Sequence, residues 1–207
     1  MNKKSAVLTK TEILDAAETA LRRYGPDKTS VTDVAKLLGV SHGTLYRHYD
    51  TKAALKEAVT ERWLEQMISK PLEEIRAGAE VGAESESETE AYIPDRLKAY
   101  IKGLIKLKRD FSQHDAEMFK MYAEVTEASA DLISEHISVL CGHLTSLIKT
   151  GMDKGQIRQG DPAKMAVALF QATVRFHHPA HAYEWVEAEI DDQFEQVWGM
   201  LEDGFRK

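Results

Sequence analysis

The chain has 207 residues, 43% of them hydrophobic and 29% charged, with a formal net charge of −7. That length can bury a proper core in one large or two small domains, and the lone cysteine, Cys141, excludes an internal disulfide. No apolar run reaches bilayer length and the basic start MNKKSAVLTK leads into no apolar signal core, so a soluble cytoplasmic protein with no membrane partner is expected.

The first helix is expected to start at Thr9, with Glu12 closing a capping box, and to end near Tyr24-Gly25-Pro26. Ile13, Ala17, Leu21 and Tyr24 supply its inner face. Ser30 caps a second helix with Asp33 three residues on, and Val31, Val34, Ala35 and Leu38 fall on one side. Gly39 stops it, because the residue past a helix end often takes a left-handed conformation. Val40 plugs the angle to the next helix. Ser41 caps a third helix that keeps Leu45 and Tyr49 on one face, one turn apart. The opposite face shows His42, Thr44, Arg47 and His48, with Tyr46 at its edge. A fourth helix runs from Thr51 to about Arg76, with Leu55, Val59, Trp63, Met67 and Ile68 inward and a kink or split at Pro71. Residues 77–91, AGAEVGAESESETEA, hold five glutamates and little to bury, and are expected to form a mobile acidic loop.

Helical spacing resumes at Tyr92. Leu97, Tyr100, Ile101, Leu104, Ile105 and Leu107 mark one helix, ending before Gln113. Met118, Phe119, Met121, Tyr122 and Val125 mark the next, and a long apolar stripe from Leu132 to Ile148 marks a third. Asp161-Pro162 opens a nearly apolar helix that ends near His177. Ile190, Phe194, Val197, Trp198, Leu201 and Phe205 mark the last. No stretch alternates with period two, so an all-α fold without a sheet is expected.

Residues 30–49 thus divide as a helix-turn-helix requires, one face holding helix to helix and the other reaching bases and phosphates. Charge agrees: residues 1–60 hold ten Lys or Arg against seven Asp or Glu, a local +3, while the remainder carries −10. The order Gly-Val-Ser, Gly-Thr-Leu-Tyr-Arg-His-Tyr, Thr-Lys resembles the DNA-binding domain of the TetR family of bacterial transcriptional regulators. The resemblance begins upstream at Ile13-Leu14-Asp15-Ala16-Ala17 and Tyr24-Gly25 and runs to about Val59. It implies a three-helix DNA-binding domain at 8–60, and a helical effector-binding and dimerisation domain at 61–207.

The resemblance assigns roles where residues match. Ser30 caps its helix and reaches a phosphate, and Thr32 touches a base or phosphate. His42, Gly43 and Arg47 sit where the family reads bases; the Arg47 fork suits guanine O6 and N7. Thr44, Tyr46 and His48 position phosphates, and Lys52 meets one at the start of the fourth helix. The partner implied is a double-stranded DNA operator, and the activity most often repression.

For the body, the resemblance implies a homodimer through the last two helices, with Met165, Leu169, Phe170, Phe194, Val197, Trp198 and Leu201 in the interface. The excess apolar surface of those helices agrees, although both could instead be buried in one subunit. A small-molecule effector neighbourhood is expected around Tyr100, Leu104, Met118, Phe119, Tyr122, Ile137, Phe170, Phe176 and His177; such residues are also common plain core. The ligand expected is mostly apolar, in a dry cavity of a few hundred cubic ångströms, oriented by Tyr122 or His177. The segment FHHPAHAYEW (176–185) carries three histidines that straddle Pro179 without helical ligand spacing, so no metal or other cofactor is expected; whether it lines the pocket or the dimer interface stays open. Cys141 reads as a small buried hydrophobe. No nucleophile elbow, phosphate-binding glycine loop, HExxH or paired Cys-x-x-Cys occurs, so an enzyme is not expected. A helical protein-interaction module, or an enzyme without a recognisable motif, are the competing classes.

Overall fold

A computed structural model describes residues 8–77 and 92–207. The loop expected at 77–91 therefore lies, apart from Ala77, outside the described residues. Helix α1 (Lys10–Tyr24) begins with the expected capping box, in which the Glu12 amide donates to Thr9 Oγ1 at 3.2 Å and the Thr9 amide to Glu12 Oε2 at 2.8 Å. Ile13, Ala17, Ala20 and Leu21 are buried. Tyr24 is not inward as expected but 42% exposed, with the Arg23 guanidinium 5.3 Å from its ring centre. The helix ends there, and Gly25 at φ 79° turns the chain away before Tyr24 can reach the core.

Helices α2 (Val31–Leu38) and α3 (His42–Tyr46) form the expected hairpin, with Gly39 left-handed at φ 65° between them. Regular α3 is shorter than expected, but the backbone continues as a turn: His48 and Tyr49 amides both donate to Leu45 O, at 2.9 and 3.0 Å. Leu45 and Tyr49 still reach the core.

The fourth helix does not split at Pro71. Helix α4 (Lys52–Leu64) passes through a wide π-turn (Glu65–Ser69) directly into α5 (Lys70–Ala77). The widened turn accommodates a proline, which has no N–H to give and would crowd the carbonyl one turn back. This continuous rod links the head, α1–α3, to the body.

The body comprises α6 (Ile93–His114), α7 (Ala116–Ala128), α8 (Ala130–Asp153), α9 (Pro162–Ala172) and α10 (Ile190–Phe205). Helix α6 runs just past Gln113. Helix α9 stops short of the expected His177, and the chain tightens into short 3-10 turns at Val174–Phe176 and Pro179–Glu184; at the end of the helix the Thr173 hydroxyl donates to Leu169 O and Phe170 O, at 3.0 and 3.2 Å. The lone extended pairing among the described residues is the bridge between Ile157 and Arg206, which pins the α10 end beside the α8–α9 connection. No described helix is long and apolar enough to cross a membrane.

One close approach fixes that connection. A Cβ on Gly151 would stand 2.5 Å from Ile157 Cδ1 and 3.1 Å from Ile93 Cγ2, and both isoleucines are fully buried. Overpacking costs about 1–3 kcal/mol, against about 1 kcal/mol gained from helix propensity. Gly151→Ala is therefore expected to lower the urea midpoint; an unchanged or raised midpoint would mean that this contact relaxes freely.

Candidate nucleic-acid interface and effector cavity

The head presents one polar face. Ser41 holds the start of α3, accepting from the Thr44 amide at 3.2 Å, and its hydroxyl lies 2.8 Å from Thr44 Oγ1. Leu45 is fully buried and points α3 into the head, so His42, Gly43, Tyr46, Arg47 and His48 are left exposed. The His42 ring rests on Tyr46, centroids 4.3 Å apart, which stiffens that edge. Thr32 is also exposed, on α2. The remaining DNA-contact candidates are partly engaged within the head. Ser30 Oγ lies 2.5 Å from Asp33, whose carboxyl this capping box holds below the usual carboxylate range. Thr44 is half-buried, and half-buried Lys52 donates through Nζ to the Asp27 carbonyl at 3.1 Å.

Charged contacts tie the head and the α4 rod to α7 and its N-cap residue. Lys56 reaches Glu124 and Lys120 reaches Asp27, both at 2.6 Å, and Arg22 reaches Asp115 at 3.1 Å. Beneath them Trp63 of α4 packs against Phe111 at 5.1 Å and Tyr122 at 5.6 Å between ring centres. A cleft of about 440 Å³ opens beside this junction, bordered by Tyr49, Arg62, Glu65, Leu132 and His136.

In the body, five of the nine effector candidates share one cavity of about 50 Å³: Leu104, Tyr122, Ile137, Phe170 and His177. Tyr100, Met118, Phe119 and Phe176 are buried elsewhere in the core. Tyr100 bonds His143 Nδ1 at 3.0 Å through its hydroxyl. The cavity is smaller than the few hundred cubic ångströms expected, because Tyr122, Phe170 and His177 fill most of the gap with their rings. It is also less apolar than expected. Lys108 borders it at 2% exposure, with Nζ 3.9 Å from the centre of the Tyr122 ring and no hydrogen-bond partner among the described residues. Burial lowers this amine to about 7. His136 borders both the cavity and the head–body cleft, and its Nε2 is likewise unpartnered. Burial lowers His136 and His177 to about 3, so both imidazoles are neutral.

Lys108 and His136 escaped the candidate set. The signal was present for Lys108, which lies four residues after Leu104 and seven after Ile101 and so sits on the inner stripe of α6. A lysine on a stripe of that kind reads easily as an edge residue whose amine reaches water.

The histidine-rich segment folds onto itself. His177 Nε2 lies 3.3 Å from Thr173 Oγ1, and Glu184 Oε1 lies 2.7 Å from His181 Nδ1 while its other oxygen takes Arg175 Nε at 2.6 Å. His177 and His178 border the cavity. Among the described residues, no three His, Cys, Asp or Glu side chains converge as a metal site.

Of the seven interface candidates, Leu169, Phe170, Phe194 and Trp198 are already buried within the single chain, and Met165, Val197 and Leu201 are half-buried. Phe194 packs on Phe176 at 5.3 Å between ring centres. The large apolar side chains left exposed on α9 and α10 are Val167, at 43%, and Met200, at 80%. Met165, Leu169, Met200 and Leu201 border an apolar groove of about 210 Å³ between those helices.

Comparison with known proteins agrees at both ends. Residues 13–59 match the family described as bacterial regulatory proteins, tetR family, and residues 94–198 match the tetracyclin repressor-like C-terminal domain. The HTH-type transcriptional regulator TtgR of Pseudomonas putida is 39% identical over 57 residues, 28% of this chain and 27% of that protein. The chain thus aligns with about a quarter of that relative's length. An uncharacterized HTH-type regulator of Bacillus subtilis, YhgD, is 22% identical over 92% of this chain and 91% of its own. Among solved structures, SmeT, the repressor of the Stenotrophomonas maltophilia multidrug efflux pump SmeDEF, superposes with a TM-score of 0.62. That match has 18% identity and covers 97% of this chain and 91% of SmeT, which has also been solved as a complex with triclosan.

Proposed function

The chain belongs to the TetR family of bacterial regulatory proteins, and from that premise we propose that it is a ligand-responsive repressor that binds operator DNA as a homodimer. The observation that carries the reading is the divided surface of α3 and the turn that continues it: Leu45 and Tyr49 are taken into the head while Arg47 and its exposed neighbours face outward. One such surface reads few bases. Two, related by a two-fold axis and spaced by about 34–36 Å, reach successive major grooves.

The release mechanism follows from α7. That helix carries Tyr122 at the cavity, Lys120 on Asp27 of the head and Glu124 on Lys56 of the rod. Trp63, packed on Tyr122, gives the cavity a second contact with the rod that bears the head. A ligand larger than about 50 Å³ must part the helices around the cavity, and any shift of α7 moves both sets of contacts. The ligand releases DNA only to the extent that it binds the DNA-incompetent arrangement more tightly. Efflux-pump repression by SmeT, and its complex with triclosan, support an organic effector in this reading.

The test is selection of an operator from random duplexes with the full chain, followed by two variants. Arg47→Ala is expected to lose about 1–3 kcal/mol of discrimination at one base pair while leaving other positions unchanged. Lys52→Ala is expected to weaken binding to every sequence and to flatten the salt dependence by about one unit of slope. If both variants bind the selected operator like the parent, these residues do not form the interface.

A further inference from the structure

Lys108 is the least ordinary group in the body. A lysine at 2% exposure, with no carboxylate and no hydrogen bond to compensate it, is costly in a protein that functions without a partner for it. Its surroundings are selective. Tyr122 of α7, His136 of α8, and His177 and His178 after α9 face the same cavity, and no Asp or Glu borders it. The rest of the wall is apolar, including Leu104, Ile137 and Phe170.

We propose that this cavity is a carboxylate site, and that the effector is an amphiphilic monocarboxylate whose head pairs with the Lys108 ammonium while its apolar part lies against Leu104, Ile137 and Phe170. The proposal rests on the reading of this cavity as the effector site. A single ammonium beside neutral imidazoles balances one negative charge. A phosphate group would call for more cationic donors than the wall provides. The unpartnered His136 Nε2 offers a further polar contact for the second oxygen.

Protonation follows the same logic. Without a ligand, burial holds Lys108 near 7, so the amine is partly neutral at physiological pH. His136 and His177 are held near 3, His178 is also lowered by burial and by His181, and burial keeps the Tyr122 phenol protonated. Glu127 acts on His178 from outside the wall. Lys108 is thus the amine at this site that burial brings to about 7. An anion raises its pKa, so binding must take up a proton when the pH exceeds about 7.

The experiment uses the full chain and two matched series, the linear carboxylates from acetate to octanoate and the corresponding primary amides. Melting temperature, calorimetric affinity and operator affinity are measured for each. Carboxylates are expected to raise the melting temperature and bind at least about tenfold more tightly than their amides, as a charge-assisted bond should. Their affinity is expected to fall by up to about tenfold per pH unit above 7, with proton uptake visible as a dependence of heat on buffer. Lys108→Met should fold, because it replaces an unpaired buried amine by an apolar chain of similar length, and should lose the preference for carboxylate over amide. Equal binding of both series, or a carboxylate preference that survives in Lys108→Met, overturns the proposal. An amide that both stabilises the protein and releases operator, where its carboxylate does neither, overturns it while leaving the effector reading intact. Carboxylates that bind through Lys108 but leave operator affinity unchanged support the site and overturn the effector reading instead.

Discussion

Trp63→Ala is expected to cost about 3–5 kcal/mol of stability, the usual price of removing a large aromatic from a packed core. Trp63 is 1% exposed and lies on α4, where the rod leaves the head and enters the body. It meets Phe111 of α6 edge-on and Tyr122 of α7, so alanine would leave a void facing two helices at once. Those aromatic neighbours are themselves held by larger elements and cannot collapse fully into the gap. The indole Nε1 has no hydrogen-bond partner among the described residues, so the side chain acts through packing rather than through its N–H. Trp63→Phe, which keeps a ring and removes the orphan donor, should therefore lose much less than Trp63→Ala. Urea unfolding at one fixed protein concentration measures both, because a dimer's apparent stability depends on concentration. A loss below about 1 kcal/mol for the alanine variant, with an unchanged slope, would show that the head–body junction does not depend on this contact.

Met200→Glu is expected to convert the proposed homodimer to folded monomers and to remove most operator affinity. Met200 is 80% exposed in the single chain and Val167 43%, so both are free for a partner to cover. The groove beside Met200 is apolar and lies between α9 and α10. At a two-fold interface one substitution appears twice, and each unpaired buried charge costs about 3–5 kcal/mol. The fold should survive because the side chain touches solvent within its own subunit. Phe194→Glu is a control with the opposite expectation. Phe194 is 2% exposed, meets Phe176 edge-on and stacks on Trp198, so its replacement should unfold the subunit rather than separate two folded ones. Sedimentation and circular dichroism distinguish the outcomes. A parent protein that sediments as a monomer at micromolar concentration, or a Met200→Glu variant that remains dimeric, would remove this surface from the interface.

The head was legible from the chain because its signals are local. A capping serine bonds an amide three residues away, a left-handed glycine ends a helix, and Leu45 and Tyr49 alternate with outward side chains within two turns. Such features depend on neighbours in sequence, and the all-helical architecture followed from the same periodicity. Where local signals competed, tertiary context decided. Pro71 reads as a kink or split, yet a π-turn carries the rod through it; the apolar pattern at 163–176 reads as one helix, yet the chain tightens into a 3-10 turn after Ala172. The body's site was beyond local reading for a different reason. Periodicity says that a stripe is inward but not what it meets, so Tyr100 and Leu104, one turn apart on α6, part company: one bonds His143 and the other borders the cavity. Lys108 shows the limit most clearly. Its place on the stripe was written in the chain, but whether its amine reached water or stayed buried depended on α7, α8 and the turns after α9 closing over it, and only their packing brought Tyr122, His136 and His177 to one lysine.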